Sequence, residues 1–291
     1  MSTTSSRTLL VDSSSLIYRA FFSSPNTIKM NAAHGFLNML ARLVIDRDPT
    51  HLACATDEDW RPQWRVDLVS SYKTHRVGLP EEDLDPQIPV IFELLELMGV
   101  AVVGCADYEA EDVIGALIPF AEGKVEIVSG DRDLFQLVRD PDIVVLYPKR
   151  GVSELLVVNE REITNKYGIP GRAYGDFALL RGDPSDGLPG VPGIGEKTAS
   201  MLIAKYKSLA AVIEAALTNG ATGPLAKVRM SIDYLDRAAR CVLISPDAPV
   251  GTHDLIRPRI FENETKVNEV AGEYGLEGAV SRLISALKGA A

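Results

Sequence analysis

Short, uninterrupted apolar runs alternate with longer stretches of helical periodicity through the first half of the chain. Thr8–Val11 (TLLV) reads as a buried strand, followed by helical patterns over Ser13–Phe22 and Gly35–Arg47. His51–Ala55 reads as a second strand and Pro89–Met98 as an amphipathic helix. Val100–Val103 is a third strand, ahead of a helix from about Glu109 to Phe120. Val125–Val128 is a fourth, with a helix beginning near Asp131, and Ile143–Leu146 is a fifth. Strands that are apolar at successive positions belong to sheets covered on both faces, and their alternation with helices predicts a parallel α/β sheet. Beyond about Gly171 the strand signals fade and helical periodicity dominates. The expected organisation is an α/β core over 1–171 and a helical region over 172–291.

One stretch interrupts this rhythm. Trp60 to Leu84 carries Arg61, Arg65, Lys73, His75 and Arg76 with Trp60, Trp64 and Tyr72 among them, then turns acidic at Glu81, Glu82 and Asp83. A connection this long in a compact domain is usually functional or mobile. Interleaved basic and aromatic residues, Arg61, Arg65 and Tyr72 included, suit a track for a nucleic-acid single strand. A surface excursion whose aromatics pack on the core fits the same spacing, and the pattern alone does not separate the two.

Acids fall at the carboxyl ends of the strands, where parallel sheets bind their ligands. Asp12 follows TLLV, Asp57 follows HLACAT, and Asp131 with Asp133 follows VEIVSG. Glu109, Glu111 and Asp112 open the helix after the third strand. Taken singly, each has a structural explanation as a helix cap, a dipole partner or a solvated charge. Their convergence on one side of the sheet is harder to explain that way, because like charges repel unless a cation neutralises them. The four histidines show no HxxxH spacing and the three cysteines, Cys54, Cys105 and Cys241, form no CxxC pair. The donor set is therefore all oxygen, which favours Mg²⁺ or Mn²⁺ over Zn²⁺. Paired ions of that kind suit phosphodiester hydrolysis.

The segment Arg181–Ala199 (RGDPSDGLPGVPGIGEKTA) is the most specific in the chain. Gly193-Ile194-Gly195 leads into an apolar helix, and such a turn offers backbone N–H groups and a helix dipole to a phosphate. Gly190, Gly193, Gly195, Lys197 and Lys205 are the candidate DNA-binding residues of this helix-hairpin-helix pattern. Asp183 and Asp186 precede it at a spacing that lets both serve one ion.

Net charge is −10, but backbone binding needs clustered Lys and Arg rather than a positive total. No apolar run approaches the roughly 20 residues that span a bilayer. The odd, scattered cysteines favour a reducing compartment. A cytoplasmic monomer with no membrane partner is expected.

In these stretches the chain resembles the 5′-nuclease (flap endonuclease) family, especially the N-terminal 5′–3′ exonuclease domain of bacterial DNA polymerase I. The matching segments are LLVDSSSLIYRAFF, HGFLNML, SYKTHR, IPVIFELLELMGV, YEAEDVIG, SGDRDLFQLV and GDPSDGLPGVPGIGEKTA, in order from about Arg7 to Tyr206. The resemblance implies a PIN-like parallel-sheet nuclease core with a helical arch over Trp60–Leu84, followed by a helical region with a helix-three-turn-helix motif over about 183–206. It implies two or three divalent ions on Asp12, Asp57, Glu109, Glu111, Asp112, Asp131, Asp133, Asp183 and Asp186. It places Lys73, Arg76 and Arg19 as catalytic cations beside the scissile phosphate, and a potassium ion on carbonyls of the hairpin. The implied activity is removal of 5′ flaps and primers in replication and repair. The implied partners are DNA flaps, nicks and duplex ends, with a polymerase, clamp or ligase as recruiting proteins.

Three departures from the family pattern stand out. Asp12-Ser13 replaces Asp-Gly, Glu111 replaces an Asp, and Gly187-Leu188 replaces Asn-Ile. None removes a carboxylate. With the last residue at Ala291, a stand-alone nuclease without a polymerase is expected. The competing readings are a non-catalytic DNA-structure-binding protein, a phosphatase using Asp131 and Asp133, and a ribonuclease of related fold.

Overall fold

The computed structural model describes residues 6–23, 25, 29–77 and 83–289. Glu81 and Glu82 of the acidic turn lie outside the described residues. Six strands form one sheet: β1 (Arg7–Asp12), β2 (His51–Ala55), β3 (Ala101–Val103), β4 (Lys124–Val128), β5 (Ile143–Arg150) and β6 (Glu154–Val158), in the order β3-β2-β1-β4-β5-β6. The first five are mutually parallel, and β6 pairs antiparallel with β5.

Successive residues of the strands enter different cores, as the two-residue strand repeat requires. Leu10, Ala53, Ala55, Ile127 and Val145 face one hydrophobic cluster. Leu9, Val11, Leu52, Cys54, Val128, Val144 and Leu146 face the other. On that second face lie α1 (Ser13–Ser23), α2 (Asn31–Arg47) and α4 (Gln87–Leu97). The short α3 (Gln63–Leu68) precedes α4, and α5 (Ala110–Leu117) packs on the first face with α6 (Glu160–Tyr167) and α7 (Tyr174–Arg181). Next come α8 (Glu196–Tyr206), α9 (Leu209–Leu217), α10 (Pro224–Met230) and α11 (Ile232–Val242), which continue that first cluster. Finally α12 (Glu264–Tyr274) and α13 (Glu277–Lys288) return to the second cluster, against α4 and α2 respectively.

Differences from the sequence reading have local causes. The helix expected from Asp131 is a five-residue 3₁₀ segment, Asp133–Leu137; Pro141 lies just beyond it and disfavours helix in the residue before a proline. The sheet gains β6, an antiparallel edge that a reading based on parallel alternation does not supply, joined to β5 through Gly151–Ser153. Helical structure also begins at Glu160, ahead of Gly171. No helix among the described residues is long and apolar enough to cross a membrane.

Candidate active site

Strand ends and helix starts bring the predicted acids to one side of the sheet. Asp12 closes β1 and is 6 % exposed; its carboxylate accepts from Ser129 Oγ and from the Ser15 amide at 3.0 Å. Asp57, just past β2, accepts from the Ala110 amide at the start of α5, at 2.7 Å. Beyond β4, Asp131 accepts from the Asp133 amide at 2.8 Å. Asp183 accepts from the Ser185 amide and from Arg181 Nη2, at 2.9 and 3.1 Å.

Asp186 is 7 % exposed and accepts from Arg76 Nη2 at 2.9 Å. Its carbonyl accepts from the Lys73 amide, also at 2.9 Å. The two segments meet closely because residue 187 is glycine. With φ +70° a Cβ there would stand 2.1 Å from the Ser71 carbonyl oxygen, so no other residue fits without moving the Lys73 turn.

Electrostatics confirm the crowding. Burial and then Asp57 push the Asp12 carboxyl up to about 7, with Asp131 adding to the rise. Burial pushes Asp186 up to about 6, Lys73 opposing and Asp131 reinforcing the shift. Asp57 is raised by burial and Glu109, and Asp133 well above its ordinary value by burial, Asp131, Asp186 and Asp183. Glu111 is likewise raised well above its ordinary value by burial and by Glu109. Each carboxyl thus feels several others, and ionising them together is costly without a counter-ion. Such a donor set, oxygen only and short of positive charge, fits hard divalent cations. Among the described residues no three Asp, Glu, His or Cys side chains already converge as a cage for one ion. The acids form a strip, with Arg181 on Asp183 and the remaining paired cations drawn from Trp60–Leu84.

Glu109 caps α5 and is 1 % exposed; it takes Tyr72 OH at 2.6 Å, Arg65 Nη1 at 2.7 Å and Lys73 Nζ. Burial acts to raise its carboxyl, but Lys73 and Arg65 outweigh it and hold the group below its ordinary value. Asp112 is fully buried, its oxygens engaged by Arg65 Nη2 and the Ser245 amide, and its backbone partner Glu109 completes a capping box. Burial still leaves Asp112 raised despite Arg65. Glu111 lies 3.4 Å from Arg65 Nη1.

Two expectations are corrected here. Arg65 and Tyr72 were expected on a DNA-facing track, yet each is only 1 % exposed and both point inward at Glu109. The carboxylates draw them in, because buried acids without counter-charge are far costlier than a buried ion pair. Arg61 braces the same turn, donating to the Tyr72 carbonyl at 2.7 Å and to Thr74 Oγ1 at 3.2 Å. Trp64 donates to the Asp107 carbonyl at 2.8 Å, whereas Trp60 stays exposed. Spacing had left core packing and single-strand track equally open; the structure divides the segment between them.

Arg19 of α1 lies at the rim, in a shallow depression of about 400 Å³ with Ser15, Tyr18, Phe22, Ser23 and Gly130. The hairpin follows directly on Asp183, which exchanges backbone hydrogen bonds with Leu188. Gly190 donates its amide to Tyr234 OH at 3.0 Å, Gly195 is the N-cap of α8, and Lys197 and Lys205 are exposed. Sequence reasoning missed Ser129, Arg181 and the Ser245 amide as partners of the acids; Ser129 and Arg181 open segments marked for their acids and glycines, and a backbone amide carries no residue signature.

Comparison with known proteins gives a consistent picture. Residues 7–168 match the model of the 5′-3′ exonuclease N-terminal resolvase-like domain, and residues 169–259 match that of the 5′-3′ exonuclease C-terminal SAM fold. A 5′-3′ exonuclease of Streptomyces coelicolor is 43 % identical over 96 % of this chain and 99 % of its own length. One from Mycobacterium tuberculosis is 40 % identical over 96 % and 97 %. DNA polymerase I of Mycobacterium bovis is 43 % identical over 71 % of this chain, but only 24 % of its own length is involved. Among solved structures, the bacteriophage T5 D15 protein co-crystallised with metal ions shares the fold with a TM-score of 0.70 at 16 % identity, over 97 % of this chain and 99 % of that one.

Proposed function

Because the chain belongs to the 5′-3′ exonuclease family, we propose that it hydrolyses DNA phosphodiester bonds at 5′ flaps, nicks and duplex ends with the carboxylate strip as its active site. The observation that supports this most directly is that Asp186, whose carboxyl is raised in part by Asp131, also takes Arg76 on its side chain and the Lys73 amide on its carbonyl. In this reading Asp12, Asp57, Glu111, Asp131, Asp133, Asp183 and Asp186 hold Mg²⁺ or Mn²⁺, two ions or three, with Glu109 joining from the Lys73 side. Asp112 anchors α5 through Arg65 and Ser245 instead of facing an ion. When bound, such ions ionise an attacking water and neutralise charge on the leaving oxygen.

The chain's own residues do the rest. Lys73 and Arg76 stand where the strip meets the excursion, Lys73 buried with its ammonium on Glu109 and the Trp60 carbonyl and Arg76 half-buried on Asp186; in this reading a phosphate drawn to the acids' ions meets both. Charge building on its non-bridging oxygens is then stabilised more than charge in the ground state. Arg19, beside Gly130 and so next in the chain to Asp131, orients the same phosphate in this reading. Exposed Lys197 and Lys205 on α8 hold the duplex beyond, and a polymerase, clamp or ligase supplies the substrate to a monomeric enzyme in the cytoplasm.

End-labelled flap, nicked and blunt DNA, with flaps of DNA and of RNA, tests this in Mg²⁺, Mn²⁺ or EDTA. Cleavage at the 5′ side with either ion and none in EDTA is the expected result. Binding without cleavage in every condition would make the chain a structure-binding protein, and cutting confined to RNA would make it a ribonuclease.

A further inference from the structure

The turn ahead of α8 is held by a side chain from another helix. Lys227 of α10 donates from Nζ to the carbonyl oxygen of Gly193 at 2.9 Å. Gly193 has φ +74°, and a Cβ on it would stand 2.5 Å from that ammonium. The left-handed turn depends on glycine at this position, and a side chain there would push the Lys227 ammonium off the carbonyl.

An ammonium has three N–H donors. One is used on Gly193, and the side chain is otherwise exposed, so the remaining donors face outward. Across the same turn Gly195 caps α8 with no side chain to offer its first amides. Those amides are the groups that a backbone phosphate would meet. Glu196 in the first turn carries the same sign as a phosphate, so the helix end alone is a poor anion site. A fixed positive charge beside it changes that balance.

We propose that Lys227 is the built-in cation of the duplex-binding hairpin. Its ammonium takes the position at the Gly193 carbonyl that a free alkali ion would need, and its outward donors reach a DNA backbone phosphate. The inference rests on the hairpin's being the duplex-binding element, and it replaces the potassium ion that the family resemblance implies. A tethered ammonium carries the same single charge as an alkali ion without having to be captured from solution. Duplex affinity then does not depend on which alkali cation is present.

Equilibrium binding of nicked duplex in EDTA, in matched KCl and NaCl, tests this on the full chain with Lys227→Met and Lys227→Arg, each checked by thermal unfolding. The wild type should bind equally in both salts, within about twofold. Lys227→Met should bind several-fold more weakly in NaCl and flatten the slope of log affinity against log salt by about one unit. KCl should restore part of the loss, because the vacated carbonyl can take the more easily dehydrated ion. Lys227→Arg should keep the wild-type slope.

The proposal is overturned if the wild type itself weakens several-fold when Na⁺ replaces K⁺. It is equally overturned if Lys227→Met keeps the wild-type slope, whether or not it melts earlier, since a mere brace between α10 and the turn would behave so. Lys197→Ala with Lys205→Ala separates the two levels of the argument. If that pair weakens binding and Lys227→Met does not, only the built-in cation is lost. If neither does, the hairpin is not where the duplex binds.

Discussion

Arg65 Nη2 lies 3.0 and 2.8 Å from the two carboxylate oxygens of Asp112, with both side chains withdrawn from solvent. The same guanidinium reaches Glu109 through Nη1. A residue from the basic excursion thus supplies the charge that lets α5 begin with acids in a buried position. Removing one partner of such a network leaves the other charges unanswered.

Arg65→Met should accordingly destabilise the protein by about 3–5 kcal/mol, read by urea unfolding. Duplex affinity measured well below the melting temperature should change little. Normal stability with weakened DNA binding would return Arg65 to the DNA-facing role that the sequence suggested.

Asp131 is exposed at the end of β4 and free of buried ion pairs among the described residues. Asp131→Asn removes one charge without a change of shape. Cleavage should fall by at least roughly 10²-fold, as for loss of one electrostatic element of an active site, while flap binding in EDTA holds. Near-normal turnover in the folded variant would take Asp131 out of the metal strip.

Glu111 tests whether the strip tolerates a longer arm. Glu111→Asp, which restores the residue usual in the family, should keep most activity, and Glu111→Ala should lose much of it in Mg²⁺. An alanine variant as active as wild type would leave Glu111 as a helix-end charge paired with Arg65.

Lys73 and Arg76 should act on the reacting phosphate more than on general affinity. Alanine at either position is expected to slow single-turnover cleavage roughly 10²–10³-fold with only a small change in binding. Arg76→Lys should rescue in part, because the planar fork is lost. A variant that binds poorly yet cleaves at the normal chemical rate would make these residues guides for DNA only. Lys73→Met also strips Glu109 of a partner, so its unfolding must be measured alongside.

Protons and metal ions compete for the strip. The Asp12 and Asp186 carboxyls stand at about 7 and about 6 in the folded protein, against an ordinary value of 3.8. Between those values the folded chain binds more protons than the unfolded one. Their stabilising contribution is therefore complete at low pH and is lost as pH rises through about 6 and then about 7. In EDTA the melting temperature should fall from about pH 5 to about pH 8 relative to an Asp12→Asn variant. Stabilisation by Mg²⁺ should grow over the same interval, since the ion needs ionised ligands. A magnesium effect independent of pH would argue against these carboxylates as its ligands.

Much of this arrangement was legible before any coordinates. Asp12, Asp57 and Asp131 announce themselves because each ends or follows a continuous apolar run, and a parallel sheet puts such positions on one rim. Asp183 and Asp186 are marked by the glycine- and proline-rich string around them. What the residues could not reveal was which way α3 and its flanks face. Arg65 and Tyr72 sit in a segment too short for periodicity to choose a side, and only the buried acids of α5, distant in sequence, decide it. The Ser245 amide on Asp112 was equally invisible, since a backbone donor carries no residue signature. The antiparallel β6 escaped because ELLVV follows β5 with no helical pattern between them, so a reading that expects strands and helices to alternate passes over it.

The return of α12 and α13 to the face built by α1, α2 and α4 bears on how the protein is made. A ribosome delivers α2 before α13, so the part of α2 that α13 covers waits until the later helix has emerged. Until then that part of α2, next to Asn38, which Arg282 of α13 later meets, is available to any other greasy surface nearby. The nascent chain is thus open to misassociation and to chaperone capture in the interval between the two helices, and that seam cannot close before α13 has emerged.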